Sequence, residues 1–243
     1  MTNVPGSYIL FHMHIAAYSP ARRIRKVRLL EMISVSLANP DLFKIRDENA
    51  GKAHYGCDQE WYTTEWQRMS GCGPSVACNI ISYLERRRRG PGGAGTCMSK
   101  ASSLRYMQEA WEYVTPTKVG LPKIKMFYKA VLRYTKARGL DVEYGALELP
   151  KARSRRPGLK QVISFIKDAL SKDAPVAFLN LCNGAEKKLE AWHWVTILAL
   201  ESAEDGKRAF VKIVDNGAVK KIDLALWHAT TKLGGGFVQV GMR

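Results

Sequence analysis

The chain has 243 residues, which suits one large domain or one domain with an extension. Its apolar share of 46% excludes a disordered chain, and no apolar run reaches the roughly 20 residues of a membrane-spanning helix. A net charge of +16 attracts acidic partners, whether nucleic acid, an anionic membrane surface or an acidic polypeptide, without choosing among them.

From the N-terminus, apolar "SYILFHMHIAA" comes before basic "RRIRKVRLL". A secretory signal has the reverse order, so none is expected. Ile24, Val27, Leu30 and Val35 could line an amphipathic helix on an anionic membrane. The plainer reading takes residues 1–40 as a basic extension packed on the domain, or as sequence upstream of a true start at Met32. Residues 41–243 are read as the domain. Within it, 41–71 carries little periodicity and reads as loop with at most one short element.

From Pro74 the texture changes. Val76, Ala77, Ile80, Ile81 and Leu84 recur at helical spacing, and Pro74 suits the first turn, where its missing N–H is harmless. "ERRRRGPGG" ends that helix, with arginines at the negative end of its dipole and Gly90-Pro91 as the stop. "GPGGAG" lacks the Gly-Lys-Ser/Thr ending of a phosphate loop, and no cofactor is expected. Leu104, Met107, Trp111 and Val114 predict a second helix. Ile124, Phe127, Val131 and Leu132 predict a third. After the basic connector "PKARSRRPG", residues Leu159, Val162, Ile163, Ile166, Ala169 and Leu170 predict a fourth.

The remainder reads as β structure. "APVAFLNL" is a buried strand. "WHWVTILALE" and "KRAFVKIVDN" alternate, and the Asp-Gly turn of "SAEDGK" joins them into a hairpin. "IDLALWHATT" holds a short helix capped by Asp223, and "GGGFVQVGM" is a last strand. Helices first, then a mostly antiparallel sheet, make an α+β domain.

The five cysteines are Cys57, Cys72, Cys78, Cys97 and Cys182. An odd number in a long chain reads as mainly reduced, hence a cytoplasmic setting. Neither a Cys-x-x-Cys pair nor a His cluster accompanies them, so no metal is expected.

Cys72 stands just before the Pro74 helix, where the helix dipole favours a thiolate and neighbouring backbone N–H groups can hold an oxyanion. It is read as a nucleophile, with a small buried plug as the alternative. Its partner should be a histidine distant in sequence. His193 opens an apolar strand between Trp192 and Trp194, unlike His12, His14, His54 (in an irregular segment) or His228. Asp215 closes the next strand and could orient the imidazole. Asn216 is the alternative, and "DNG" is also simply a turn signal. Gln67, five residues before Cys72, is the candidate oxyanion donor, with Gln59 as alternative and Ser70 behind both.

These residues resemble those of the papain-like cysteine peptidases, and more narrowly of the bacteriocin-processing peptidases that cut leader peptides after a double glycine. The resemblance rests on "WQRMSGCGPSVACNIISYL", "LKQVISFIKDALSKDAPVAFLNL", "HWVTILAL" and "VKIVDNG…IDLALWHATTKLGGGFVQV", across roughly residues 57–243. It implies a papain-like fold over 41–243, with Cys72 as nucleophile, His193 as general base and acid, Asp215 as orienting group and Gln67 as oxyanion donor. The expected activity is hydrolysis of a peptide or amide bond through a thioester, on a peptide or protein substrate, an acidic one accounting for the basic charge. The chain departs from the family in three respects. Its glutamine lies closer to the cysteine, Asn216 replaces a frequent proline, and residues 90–157 are long and basic. No transporter is fused, so cleavage inside an exporter is not implied.

Two rivals remain. A transpeptidase or acyltransferase would use the same residues. A non-catalytic nucleic-acid-binding protein would use "RRIRKVR", Arg86 to Arg89 and "KARSRR" on phosphates, although these also read as solvated faces and, in the second case, as a helix end.

Overall fold

The computed structural model describes residues 31–90 and 97–243. The basic N-terminal stretch, including Ile24, Val27 and Leu30, and most of the GPGGAG loop lie outside the described residues. Val35 falls in a strand, β1 (Met32–Ser36), rather than in an amphipathic helix. β1 joins the main sheet of the domain, so residues counted with the extension pack as part of it.

Residues 41–71, expected to be mostly loop, hold several short elements. They are a 3-10 turn (Pro40–Phe43), β2 (Lys44–Asp47), β3 (Lys52–Tyr55), a second 3-10 turn (Gln59–Trp61) and helix α1 (Glu65–Ser70). His54 therefore sits in a strand and not in an irregular segment. β2 pairs antiparallel with β3 and parallel with a two-residue β4 (Met98–Ser99), forming a small second sheet.

α2 (Cys72–Arg88) is the central helix. Its apolar spacing predicts one buried face, yet it is buried all round from Gly73 to Arg86. Most of the polar members are tolerated because they find partners, Ser75 Oγ being buried without one. Asn79 Oδ1 accepts from Cys57 N at 2.7 Å, and Ser82 Oγ donates to Asn79 O. Glu85 takes the two-pronged guanidinium of Arg138 at 2.6 and 2.9 Å and the Tyr106 hydroxyl at 2.9 Å. That side-chain pairing, against the penalty of burial, holds Arg138 well above its usual value.

α2 packs between the main sheet and α3 (Lys100–Tyr113). α4 (Ile124–Ala137) and α5 (Leu159–Ser171) follow, each close to its predicted span.

The main sheet has seven strands. β5 (Val142–Leu149), β10 (Gly235–Met242), β6 (Val176–Asn180), β7 (His193–Ala203), β8 (Ala209–Asp215) and β9 (Ala218–Asp223) lie in that order, all antiparallel. β1 continues the edge of β7 beyond β6, pairing with residues 199–203. α6 (Leu224–Thr230) is the short helix capped by Asp223, whose carboxylate accepts from Leu226 N. Every residue of β6 and of β7 from His193 to Leu200 is buried, so the sheet centre is covered on both faces. The molecule is thus a mixed α+β domain with a mostly antiparallel sheet. Among the described residues no helix is long and apolar enough to cross a membrane.

The Glu85–Arg138 pair makes a testable point about stability. Arg138→Met leaves a buried carboxylate unpaired and should cost about 3–5 kcal/mol. Adding Glu85→Gln should recover much of that loss, and urea unfolding of both variants measures the difference.

Candidate functional site

The thiol is placed by close packing around two glycines. Gly71 is the N-cap of α2, and a Cβ there would lie 2.4 Å from Gln67 O and 2.7 Å from the Tyr62 ring. A Cβ on Gly73 would meet Leu121 Cδ1 at 2.5 Å. Cys72 is therefore the first side chain the helix presents at this end. It is half-buried, at the positive end of the helix dipole, beside backbone N–H groups of the first turn.

Cys78 belongs to the core. Its sulfur lies 3.1 Å from that of Cys57, and this contact together with burial pushes its thiol well up. It fills space, as a small apolar residue would.

The imidazole is placed from the sheet. The segment before β7 is tied by Asn180, whose amide donates to Glu190 O at 2.5 Å and accepts from Trp227 Nε1 at 2.7 Å. Phe178, Phe237 and Trp227 pack ring against ring beneath it. His193 then opens β7 with its side chain only 6% exposed.

Asp215 closes β8. Thr196 pairs with Val214, which sets Asp215 opposite Val195 and diagonal to His193 on the same face. The result is a 2.7 Å contact between His193 Nε2 and Asp215 Oδ1. Asp215 next enters a two-residue turn. Asn216 (φ 46°) and Gly217 (φ 72°) are both left-handed, as a type I′ hairpin requires. "DNG" is therefore a turn and also supplies the carboxylate. Asp215 reaches the ring, and the alternative Asn216 serves the turn.

A second support comes from the small sheet. Tyr55 N donates to Gly217 O at 2.8 Å, so β3 holds the hairpin in place from the side.

Burial favours the neutral imidazole, but the hydrogen bond to the Asp215 carboxylate and the influence of the Cys72 thiol outweigh it and push His193 up to about 10. Burial likewise works against the Asp215 anion, and His193 followed by Lys220 holds it below its usual value. A carboxylate accepts only, so Nε2 carries its proton toward Asp215 and Nδ1 is left for the thiol. Such an arrangement can take the thiol proton and leave a thiolate beside an imidazolium.

The side chain of Gln67 is engaged with other partners. Thr64 caps α1, accepting from Gln67 N, and the Gln67 side chain bonds Thr64, Thr63 and, at 2.8 Å, Gln108 of α3. The Thr-x-x-Gln spacing is a helix-start signal, and that is how the chain uses it. Gln59 differs: its side-chain oxygen is buried with no hydrogen-bond partner. Its neighbour Asp58 borders Gly217, on the hairpin that carries Asp215.

Sequence reasoning missed Lys220. Its Nζ lies 2.6 Å from Asp215 Oδ2. The pairing depends on β9, whose polar sequence gives no strand signal.

Among the described residues no group of three or more His, Cys, Asp or Glu is placed to hold a metal ion. Comparison with protein-family models gave no match, and neither did comparison with curated proteins.

The charge at Asp215 can be tested without a substrate. In Asp215→Asn the His193 ring should titrate roughly 1–3 pH units lower, read by NMR. The folded value of His193 lies above the unfolded one. It therefore adds stability that is complete below the ordinary 6.5 and lost as pH rises through about 10. Asp215 shifts the opposite way and loses its contribution as pH falls through its lowered value. The stability gap between wild type and Asp215→Asn should accordingly be widest near neutrality and close at both ends.

Proposed function

We propose that the protein is a cysteine-dependent hydrolase that cleaves a peptide or amide bond through a thioester acyl-enzyme. The observation that carries this reading is the buried 2.7 Å contact of His193 with Asp215, with Cys72 at the start of α2 acting on the same ring. A thiol at a helix start, facing an antiparallel sheet that supplies histidine and aspartate, also supports the resemblance to papain-like cysteine peptidases.

In this reading Cys72 Sγ attacks the carbonyl carbon as its proton passes to His193. The carbonyl oxygen becomes an oxyanion, held by the N–H of Cys72 and a side-chain amide. Gln59 is the better candidate for that amide, because its buried end has no partner and a half-turn exchanges its oxygen for N–H donors. His193 then gives its proton to the departing amine, and the thioester remains. Water, giving a proton to His193, attacks the thioester, releases the acid and restores the thiol.

The net charge of +16 fits a peptide or protein substrate with acidic residues. A cytoplasmic setting is part of the proposal, on the odd number of cysteines.

A transpeptidase or acyltransferase would differ only in what resolves the thioester. Added amine distinguishes them, since hydrolysis yields acid alone. The nucleic-acid reading loses support from the described arginines. Arg87 pairs with Asp173 at 2.7 Å, Arg88 donates to Gly139 O and Arg86 to Leu42 O. Arg156 donates to four backbone carbonyls, those of Pro150, Lys151, Thr231 and Lys232. These cations hold the chain together rather than forming a free phosphate-binding face.

Cys72→Ala should abolish labelling by a thiol-reactive acyl probe at this position and all hydrolysis. Continued labelling of that variant sinks the assignment. His193→Ala should slow Cys72 labelling near neutral pH by roughly 100-fold or more. Gln59→Ala should lower turnover by ~100-fold, whereas Gln67→Ala should act on stability.

A further inference from the structure

Lys220 is the charged group nearest the buried carboxylate apart from His193. Asp215 pairs with Ala218 across the hairpin, so Lys220, two residues on, is diagonal to Asp215 on the same face. The next residue, Lys221, points the other way and pairs with Glu201. The alternation of the strand thus selects one lysine of two for the site. Lys220 Nζ lies 2.6 Å from Oδ2 while His193 Nε2 lies 2.7 Å from Oδ1, so each carboxylate oxygen has its own cationic or N–H partner. The Asp215 side chain is fully buried and that of Lys220 is 34% exposed.

We propose that Lys220 is a positioning residue of this site: it holds Oδ2 so that Oδ1 stays on His193, and it offsets part of the carboxylate charge that the imidazole feels. This deepens the hydrolase reading and rests on it for its meaning in catalysis. A lone Asp215 would bind the imidazolium so firmly that the ring parts reluctantly with its proton. A cation on the far oxygen weakens that hold, which favours delivery of the proton to a leaving amine. Cys72 from α2 also acts on His193, and His54 of β3 and Asp58 of the turn after it border Gly217 on the same hairpin.

The test follows the His193 ring titration by NMR in the full chain, in wild type, Lys220→Met, Lys220→Gln and Lys220→Arg. Removing the cation should raise the titration by ~0.5–1 pH unit in the Met and Gln variants, and Arg should restore it. In an Asp215→Asn background, Lys220→Met should move it by clearly less, because much of the lysine's effect passes through the carboxylate. An unchanged titration in both neutral variants overturns the proposal, as does an undiminished shift without Asp215. Alkylation of Cys72 by iodoacetamide, read by peptide mass spectrometry, is run alongside. A wild-type Cys72 that reacts no faster near neutral pH than an ordinary thiol removes the nucleophile reading, while the NMR result decides the role of Lys220 on its own.

Discussion

The buried hydrogen bond between His193 and Asp215 constrains more of this molecule than any other contact. An imidazole and a carboxylate shut away from water are each costly alone, and together they satisfy one another. The contact exists only if β7 and β8 are in one register, since a slip of one residue would turn Asp215 to the other face. That register includes an irregularity between Ile197 and Ala199, so strand pairing at the far end does not by itself fix the site end. The Asn216-Gly217 turn and β3 do so instead, by gripping the hairpin where Asp215 emerges.

The thiol side is built by different means. Close backbone packing at Gly71 and Gly73 lets α2 start hard against its surroundings, with Cys72 as the side chain at its mouth. The helix is buried nearly throughout, and partnered polar groups such as Asn79 and Glu85 permit this. One end of the site is therefore the start of a buried helix and the other the ends of two interior strands. Neither Cys72 nor His193 depends on a long loop for its position.

Much of this could be read from the residues. The four main helices and the strands β6, β7, β8 and β10 carry strong periodicity, and the trio Cys72, His193 and Asp215 follows from where helices and strands begin and end. The missed strands β5 and β9 are the two ends of the sheet order. Edge strands carry charge to discourage pairing with other chains, so "VEYGALEL" and "AVKKID" look too polar to be strands. β2, β3 and β4 are too short for any period to register. At Gln67 two local signals overlap: its distance from Cys72 suits an oxyanion donor, while its distance from Thr64 suits a helix cap. The cap is the contact the chain makes.

The order of these parts along the chain bears on when the chemistry becomes available. Cys72 lies in the first third of the sequence, whereas His193, Asp215 and Lys220 all lie in the last fifth or so. A growing chain folds from its N-terminal end, so the thiol is made long before the groups that would activate it. Until β7 has joined the sheet, Cys72 has no imidazole beside it, and until the β8–β9 hairpin has closed that imidazole has no carboxylate. On the proposed reading, completion of the fold is the gate on reactivity: an unfinished chain carries the cysteine without its histidine and aspartate.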